Sequence, residues 1–264
     1  MPTRINVSDF NLAATLECGQ AFRWRREADG WFRGVVGKRV LCLRQTGHAL
    51  EGNVDHRYLA LDVSLKKIVA TFPPDPALRD AVTRHWGLRV LRQEPWETLA
   101  SFIASSTKQI VQIRQIVELL AQRLGEPIDG AHRAFPSAEA VARATVAELC
   151  ACKLGFRAAY LHAAARRVAD GQLDLAALRR MEYGRALEEL LKLHGVGEKI
   201  ANCALLFSCG HDEAFPVDVW MKRALARVKR RVDFGPYAGW AQQYLFHAER
   251  NLRTGAALKP DAFK

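Results

Sequence analysis

The chain has 264 residues, 49% of them hydrophobic, with 39 Lys plus Arg against 28 Asp plus Glu, a formal charge of +11 and a pI near 9.7. That length and apolar content can bury a sizeable core, in one large domain or two small ones. The cationic excess favours a polyanion partner, of which nucleic acid is the commonest, and the longest apolar run, Ile200 to Cys209, is too short to span a bilayer, so no membrane partner is expected.

The N-terminus, MPTRINVSDF, lacks the apolar segment of a secretory signal. Cys18, Cys42, Cys150, Cys152, Cys203 and Cys209 form no C-x-x-C pair, so neither zinc nor an iron–sulfur cluster is expected. Most have apolar neighbours and read as buried small hydrophobes of a reducing compartment. The expectation is an intracellular protein, of a prokaryotic cytoplasm or nucleoid rather than a nucleus.

In chain order, Phe22 to Gln45 reads as a β-meander, its runs FRWRR, WFRGVV and RVLCLRQ divided by turns at Asp29-Gly30 and Gly37-Lys38. Pro73, Pro74 and Pro76 punctuate the chain, and helical spacing dominates from there. Leu99, Phe102 and Ile103, then Ile110, Ile113, Ile116, Val117 and Leu120, predict two helices interrupted at Ala104–Thr107. Ser137 is a candidate N-cap. Further helices are predicted over Val146–Leu154, Ala158–Ala169, Tyr183–Leu193, Lys199–Ser208, Val219–Arg230 and Tyr237–Arg253. The fold class is α+β, with an antiparallel sheet domain over 1–90 and a helical domain over 91–264.

Within the helical domain, residues 183–209 read as a helix-hairpin-helix. Gly195 and Gly197 bracket its hairpin, allowing a tight turn and a close backbone approach. The second helix opens near Glu198, where free backbone N–H groups can seat a phosphate. Lys199 enters an apolar helix. Desolvation and the positive end of the dipole favour its neutral amine, a nucleophile that forms Schiff bases. A lysine that snorkels or touches a phosphate is the ordinary alternative. Asp218 follows Pro216-Val217 at the start of the next helix, where an N-cap is the ordinary role and stabilisation of an oxocarbenium-like sugar the functional one. The 19 positions from Lys199 to Asp218 suffice to finish a helix, turn, and return to one site.

These residues do not stand alone. Glu17-Cys18-Gly19-Gln20-Ala21-Phe22-Arg23-Trp24 and Gly235-Pro236-Tyr237-Ala238-Gly239-Trp240-Ala241-Gln242 flank them in sequence. Together with Lys199 and Asp218, the chain resembles the 8-oxoguanine DNA glycosylase/lyase family of the helix-hairpin-helix superfamily over nearly its whole length. The resemblance implies that Lys199 attacks the sugar C1′ and Asp218 assists departure of the base. It implies that the Gly19 carbonyl accepts the N7–H of 8-oxoguanine, absent from guanine, whose N7 is an acceptor. Gln242 would read the Watson–Crick edge, Phe246 would stack on one face of the base with Cys203 near the other, and Pro216 would line the pocket. The carbonyls of Leu191, Leu193 and Val196 would hold a monovalent cation, potassium or sodium. No other cofactor is implied, and the partner is double-stranded DNA carrying 8-oxoguanine opposite cytosine, bound by a monomer.

The chain departs from the family pattern on the side facing the opposite base. Thr107 stands where the family has an asparagine that fills the gap left by the flipped base, and Gln112 replaces an arginine. Phe156 replaces a tyrosine wedge, Arg157 keeps the family's arginine for cytosine, and Trp220 replaces a histidine. Relaxed discrimination of the opposite base is the expected result. Two other readings are a monofunctional glycosylase for alkylated purines, which would lack the catalytic lysine, and a non-catalytic helix-hairpin-helix clamp on DNA.

Overall fold

The computed structural model describes residues 3–228 and 232–254. Five strands, β1 (Thr3–Asn6), β2 (Trp24–Arg26), β3 (Phe32–Val36), β4 (Arg39–Thr46) and β5 (Ala49–Gly52), form one antiparallel sheet in the order β1-β5-β4-β3-β2. The β2–β4 meander is the one expected from the alternating runs. β1 joins β5 in the register Thr3↔Gly52 to Asn6↔Ala49, a pairing between distant segments that no local hairpin announces. The inner face carries Trp24, Phe32, Leu41, Leu43 and Leu50, covered by Phe10, Leu12 and Leu16 at and before helix α1 (Leu12–Glu17).

Two more short helices, α2 (Leu65–Val69) and α3 (Pro76–Arg84), precede the helical body. Like α1, α2 is under two turns long, too short for apolar periodicity to reveal it. α3 begins at Pro76, where Asp75 accepts N–H groups of Ala77 and Leu78. The body follows as α4 (Pro95–Ala104), α5 (Ile110–Leu124), α6 (Ala138–Arg143), α7 (Val146–Cys150), α8 (Arg157–Ala169), α9 (Tyr183–Leu191), α10 (Glu198–Ala204), α11 (Val219–Leu225) and α12 (Ala238–Thr254). Ser137 caps α6 by accepting Ala140 N–H at 3.2 Å. α7 stops short of Leu154 because Lys153 and Gly155 take left-handed conformations. The helix expected to run to Ser208 is α-helical only to Ala204 and continues as a π turn to Cys209, where Arg179 takes the Ser208 carbonyl at 2.7 Å. α11 ends at Leu225, and the predicted terminus at Arg230 lies outside the described residues.

The largest core joins α4, α5, α8 and α10 through Leu99, Ile103, Val117, Leu120, Leu161, Ala201 and Leu205. A further apolar cluster draws the two ends of the chain together. Ala14 and Cys18, with Leu78 and Ala81 of α3, pack against Met221 of α11 and Tyr244, Leu245 and Ala248 of α12. Polar ties reinforce it: Tyr244 donates to Leu88 O at 3.0 Å and Gln243 Nε2 to Cys18 O at 3.2 Å. Of the six cysteines, all free, Cys18, Cys152, Cys203 and Cys209 are buried as expected, while Cys42 is half-buried and Cys150 exposed.

The seam of this cluster holds two buried imidazoles, His85 and His247, with ring centroids 4.4 Å apart. Both nitrogens of His85 and Nδ1 of His247 lack a hydrogen-bond partner among the described residues. Burial, aided by the Arg84 charge, pushes His85 down to about 4, and burial, aided by His85 and Arg250, pushes His247 down to about 3. Both therefore stay neutral in the folded state at pH values where the unfolded chain already binds protons. Stability is full above pH 6.5 and is lost as pH falls from there towards 4, by roughly 2 kcal/mol per imidazole between pH 7 and 5. Thermal unfolding across pH 7 to 5 is expected to show this decline, and His247→Phe to flatten it. A wild-type melting temperature that does not move over that range contradicts the assignment.

Candidate active site

The hairpin between α9 and α10 closes with Val196 N–H on Leu193 O at 3.1 Å, and both side chains are buried. Gly195 has φ +80°, and a Cβ there would lie 2.3 Å from Cδ2 of Tyr160, so the residue meets both demands that only glycine satisfies. Gly197 caps α10 with an extended backbone and faces open space. Tyr160 of α8 continues the contact outward. Its ring centroid lies 4.8 Å from that of His194 and 5.8 Å from that of Phe156, which is 63% exposed. The hairpin and the exposed phenyl ring thus form one surface. Leu191, the third carbonyl expected around a cation, ends α9 and is exposed.

Lys199, half-buried on the first turn of α10, sends Nζ to Ser105 Oγ at 3.0 Å and lies 5.0 Å from the centroid of the Phe102 ring. Asp218 caps α11, accepting Trp220 N–H and Met221 N–H at 2.9 Å each. Both charges act on the Cys203 thiol, one turn along α10 from Lys199. Burial drives that thiol up to about 11, with Lys199 opposing the rise and Asp218 adding to it. The registration of Asp218 comes from Asn202, a buried amide in the apolar run of α10. Its Oδ1 accepts Phe215 N–H at 3.1 Å and the Tyr183 hydroxyl at 2.7 Å, while Nδ2 donates to Glu198 O at 2.8 Å. Buried Pro216 follows directly.

Gly19 lies against Ile110 and α12. Its φ is +86°, and a Cβ there would meet Ile110 Cδ1 at 2.8 Å and Phe246 Cε1 at 3.6 Å. Gln20, 1% exposed, pins this loop: Nε2 donates to Thr15 O at 2.9 Å and Arg89 O at 2.7 Å, and Oε1 accepts Leu91 N–H at 2.8 Å. Arg250 of α12 donates to Glu17 O and lies over the Phe246 ring. Gln242 is one helical turn before Phe246, on the same face of α12. It is 4% exposed, and its Oε1 has no hydrogen-bond partner among the described residues. A buried acceptor without a donor is costly unless something supplies one. The α12 start is held by Trp240 Nε1 on Asp212 Oδ1 at 2.8 Å.

Of the residues expected near an opposite base, Thr107 is exposed and left-handed, with φ +57°. Gln112 is exposed on the first turn of α5, where its Oε1 accepts Gln109 N–H at 3.0 Å. Arg157 points inward, 3% exposed, and donates to Ser106 O and Thr107 Oγ1. Trp220 is half-buried under Arg223.

Sequence reasoning missed Ser105, Asn202 and the clamp made by Gln20. Asn202 left a legible trace, a lone amide among Ile200, Ala201, Cys203 and Ala204. Ser105 stands in a segment, Ser105–Gln109, that reads as a helix break and as the counterpart of an asparagine-rich family segment, and neither reading assigns it a role. Among the described residues, no group of three or more His, Cys, Asp or Glu could hold a metal ion, and no helix is long and apolar enough to cross a membrane.

The chain matches the N-terminal domain model of 8-oxoguanine DNA glycosylases over residues 3–56 and 53–99. It matches the HhH-GPD superfamily of base excision DNA repair proteins over 100–233. It is 30% identical to an N-glycosylase/DNA lyase of Saccharomyces cerevisiae, over 96% of this chain and 86% of that one. It is also 30% identical to a probable N-glycosylase/DNA lyase of Methanothermobacter thermautotrophicus, over 94% and 96%. A solved structure of the Clostridium acetobutylicum 8-oxoguanine glycosylase/lyase, in complex with double-stranded DNA containing cytosine opposite 8-oxoguanine, superposes with a TM-score of 0.87. It is 30% identical and covers 95% of this chain and 98% of that one. The wall formed by Gly19 and Phe246, the lysine–aspartate pair at Cys203 and these matches run together from end to end: the chain belongs to the 8-oxoguanine glycosylase/lyase family of the helix-hairpin-helix superfamily of base excision DNA repair proteins.

Proposed function

We propose that this protein excises 8-oxoguanine from duplex DNA with Lys199 as nucleophile, and then nicks the strand by β-elimination. The observation that carries the reading is that Lys199, held by Ser105 Oγ, and Asp218, held as the cap of α11, both act electrostatically on one buried thiol, Cys203. The flipped base enters between Phe246 and Cys203, with Pro216 lining the pocket. The Gly19 carbonyl accepts N7–H of the lesion, while guanine would present an acceptor to an acceptor. The unpartnered Oε1 of Gln242 receives a donor from the Watson–Crick edge.

The amine of Lys199 gives up a proton and forms the Nζ–C1′ bond as the C1′–N9 bond breaks. That electron pair leaves with the base, which takes up a proton. The Asp218 carboxylate stabilises the positive charge that develops on the sugar. The adduct loses a proton from nitrogen and opens to a Schiff base, and loss of a C2′ proton then expels the 3′ phosphate. Neither step calls on a divalent metal, a redox cofactor or an iron–sulfur cluster. A monovalent cation at the carbonyls of Leu191, Leu193 and Val196 would steer one phosphate towards the N-terminus of α10, beside Gly195 and Gly197. Phe156 fills the space left in the stack. Thr107 and Gln112 face the base opposite, cytosine by preference, with Arg157 turned inward behind Thr107. The working unit is a monomer, acting on the chromosome of a prokaryotic cytoplasm.

Lys199→Gln is expected to retain duplex binding and lose strand cleavage, as read by gel shift and product gel. Retained cleavage would contradict the nucleophile assignment. Asp218→Asn keeps a good N-cap, so the melting temperature should hardly move while base release slows by about 10²–10³-fold. Equal losses in both would assign Asp218 to structure alone. With Thr107 and Gln112 in place of the family's asparagine and arginine, single-turnover rates opposite C, A, G and T should differ by less than about a hundredfold, given ~1–3 kcal/mol per arginine–base contact. A steeper preference for C contradicts the relaxed reading.

A further inference from the structure

Arg157 is a buried cation with no ion pair among the described residues, its guanidinium 4.3 Å from the centroid of the Phe156 ring. It is 3% exposed, and burial alone pushes its pKa down, with no carboxylate charge to oppose the fall. Nη1 donates to Leu154 O at 3.2 Å, Nη2 to Ser106 O and Thr107 Oγ1, and Nε has no partner among the described residues. One of its acceptors, Thr107, is itself held in an unfavourable backbone, and Leu154 lies between two residues of positive φ. Thr107 is a β-branched residue at φ +57°, and on the other side Lys153 and Gly155 stand at φ +67° and +59°.

The residue two before Thr107 is Ser105. Its single hydroxyl proton goes to Phe102 O at 2.7 Å, so towards Lys199 it offers only lone pairs, and Nζ donates to it at 3.0 Å. Three consecutive residues therefore hold the nucleophile at one end and Arg157 at the other. α4 ends just before them and α5 begins just after, at Ile110, which also touches Gly19.

We propose that segment 105–107 couples the reading of the opposite base to the nucleophile: when a base edge draws Arg157 outward, Ser106 and Thr107 lose their donor, the left-handed turn relaxes, and Ser105 lets go of Lys199 Nζ. Ser105 is thus a positioning residue that parks the amine until Arg157 has left. The inference rests on the reading of Lys199 as nucleophile and Arg157 as opposite-base reader, and it adds that the opposite base acts on the rate after binding. A favourable partner base speeds attack because it supplies the acceptors that Arg157 gives up.

The test is single-turnover excision of 8-oxoguanine opposite C, A, G and T, at enzyme concentrations where the rate no longer depends on concentration. Wild type, Ser105→Ala and Thr107→Val are compared. Wild type should excise faster opposite C than opposite A, by a factor above about 3 and below about 100. In Ser105→Ala the ratio should collapse to within about twofold of unity, because the amine is no longer parked. Thr107→Val keeps the shape and removes one acceptor of Arg157, so it should raise the slower rates severalfold and shrink the ratio. A purely structural role for Ser105 slows all four duplexes by one factor, and that result overturns the proposal, as does a wild-type rate indifferent to the opposite base. Should Ser105→Ala fail to fold, Thr107→Val at its exposed position decides the matter, and an unchanged ratio there overturns the coupling. Absence of base release and nicking by the wild type would instead defeat the underlying glycosylase/lyase reading, a different outcome from an unchanged ratio in an active enzyme.

Discussion

One amide, Asn202, ties the helix that carries Lys199 to the segment that carries Asp218. It sits buried in α10, where a polar side chain is disfavoured unless its hydrogen-bonding atoms are satisfied, and both are: Oδ1 takes Phe215 N–H and the Tyr183 hydroxyl, and Nδ2 gives to Glu198 O. The tie fixes three elements at once. Tyr183 opens α9, Glu198 opens α10, and Phe215 leads through Pro216 and Val217 to the cap of α11. Through Glu198 and Phe215 this amide holds the chain between the lysine and the aspartate in register. Without it, the hairpin would still form, but Asp218 would lose its fixed relation to Lys199.

A second constraint is topological. α12 comes from the end of the described chain and packs against α1 and α3 from its beginning. This is what brings Phe246 and Gln242 to the Gly19 loop, which Gln20 holds rigid from behind. In the proposed reading the base pocket is built across the two ends of the sequence, whereas Lys199 and Asp218 lie within one local run of it. That reading gives the enzyme one wall for recognising the lesion and a separately braced pair for breaking the bond. The buried imidazoles His85 and His247 lie in the seam between the ends, so the packing of α3 against α12 is sensitive to acid.

Much of this was legible because it follows from short-range chemistry. The meander is visible in alternation and turn residues, the body helices in apolar spacing, and the hairpin in Gly195 and Gly197. The site residues Gly19, Lys199, Asp218, Gln242 and Phe246 are marked by motifs that resemble the family. What escaped the sequence depends on partners far away. β1 is a strand only because β5 offers it an edge, and α1 is too short for periodicity to show. Ser105 matters only because Lys199, 94 residues later, reaches it. The inward turn of Arg157 was equally hidden: an arginine after an exposed aromatic ring reads as a solvent-facing contact, yet Leu154 O in its own loop and two acceptors of the distant 106–107 segment draw it inside.

The central claim is that the chemistry passes through a covalent bond to Lys199. The most direct test is borohydride reduction of the wild-type enzyme on a duplex with one 8-oxoguanine opposite cytosine, followed by peptide mapping of the trapped adduct by mass spectrometry. The account predicts a sugar-derived mass on the peptide that contains Lys199. Base release with no adduct, or an adduct on another lysine such as Lys108, would contradict it.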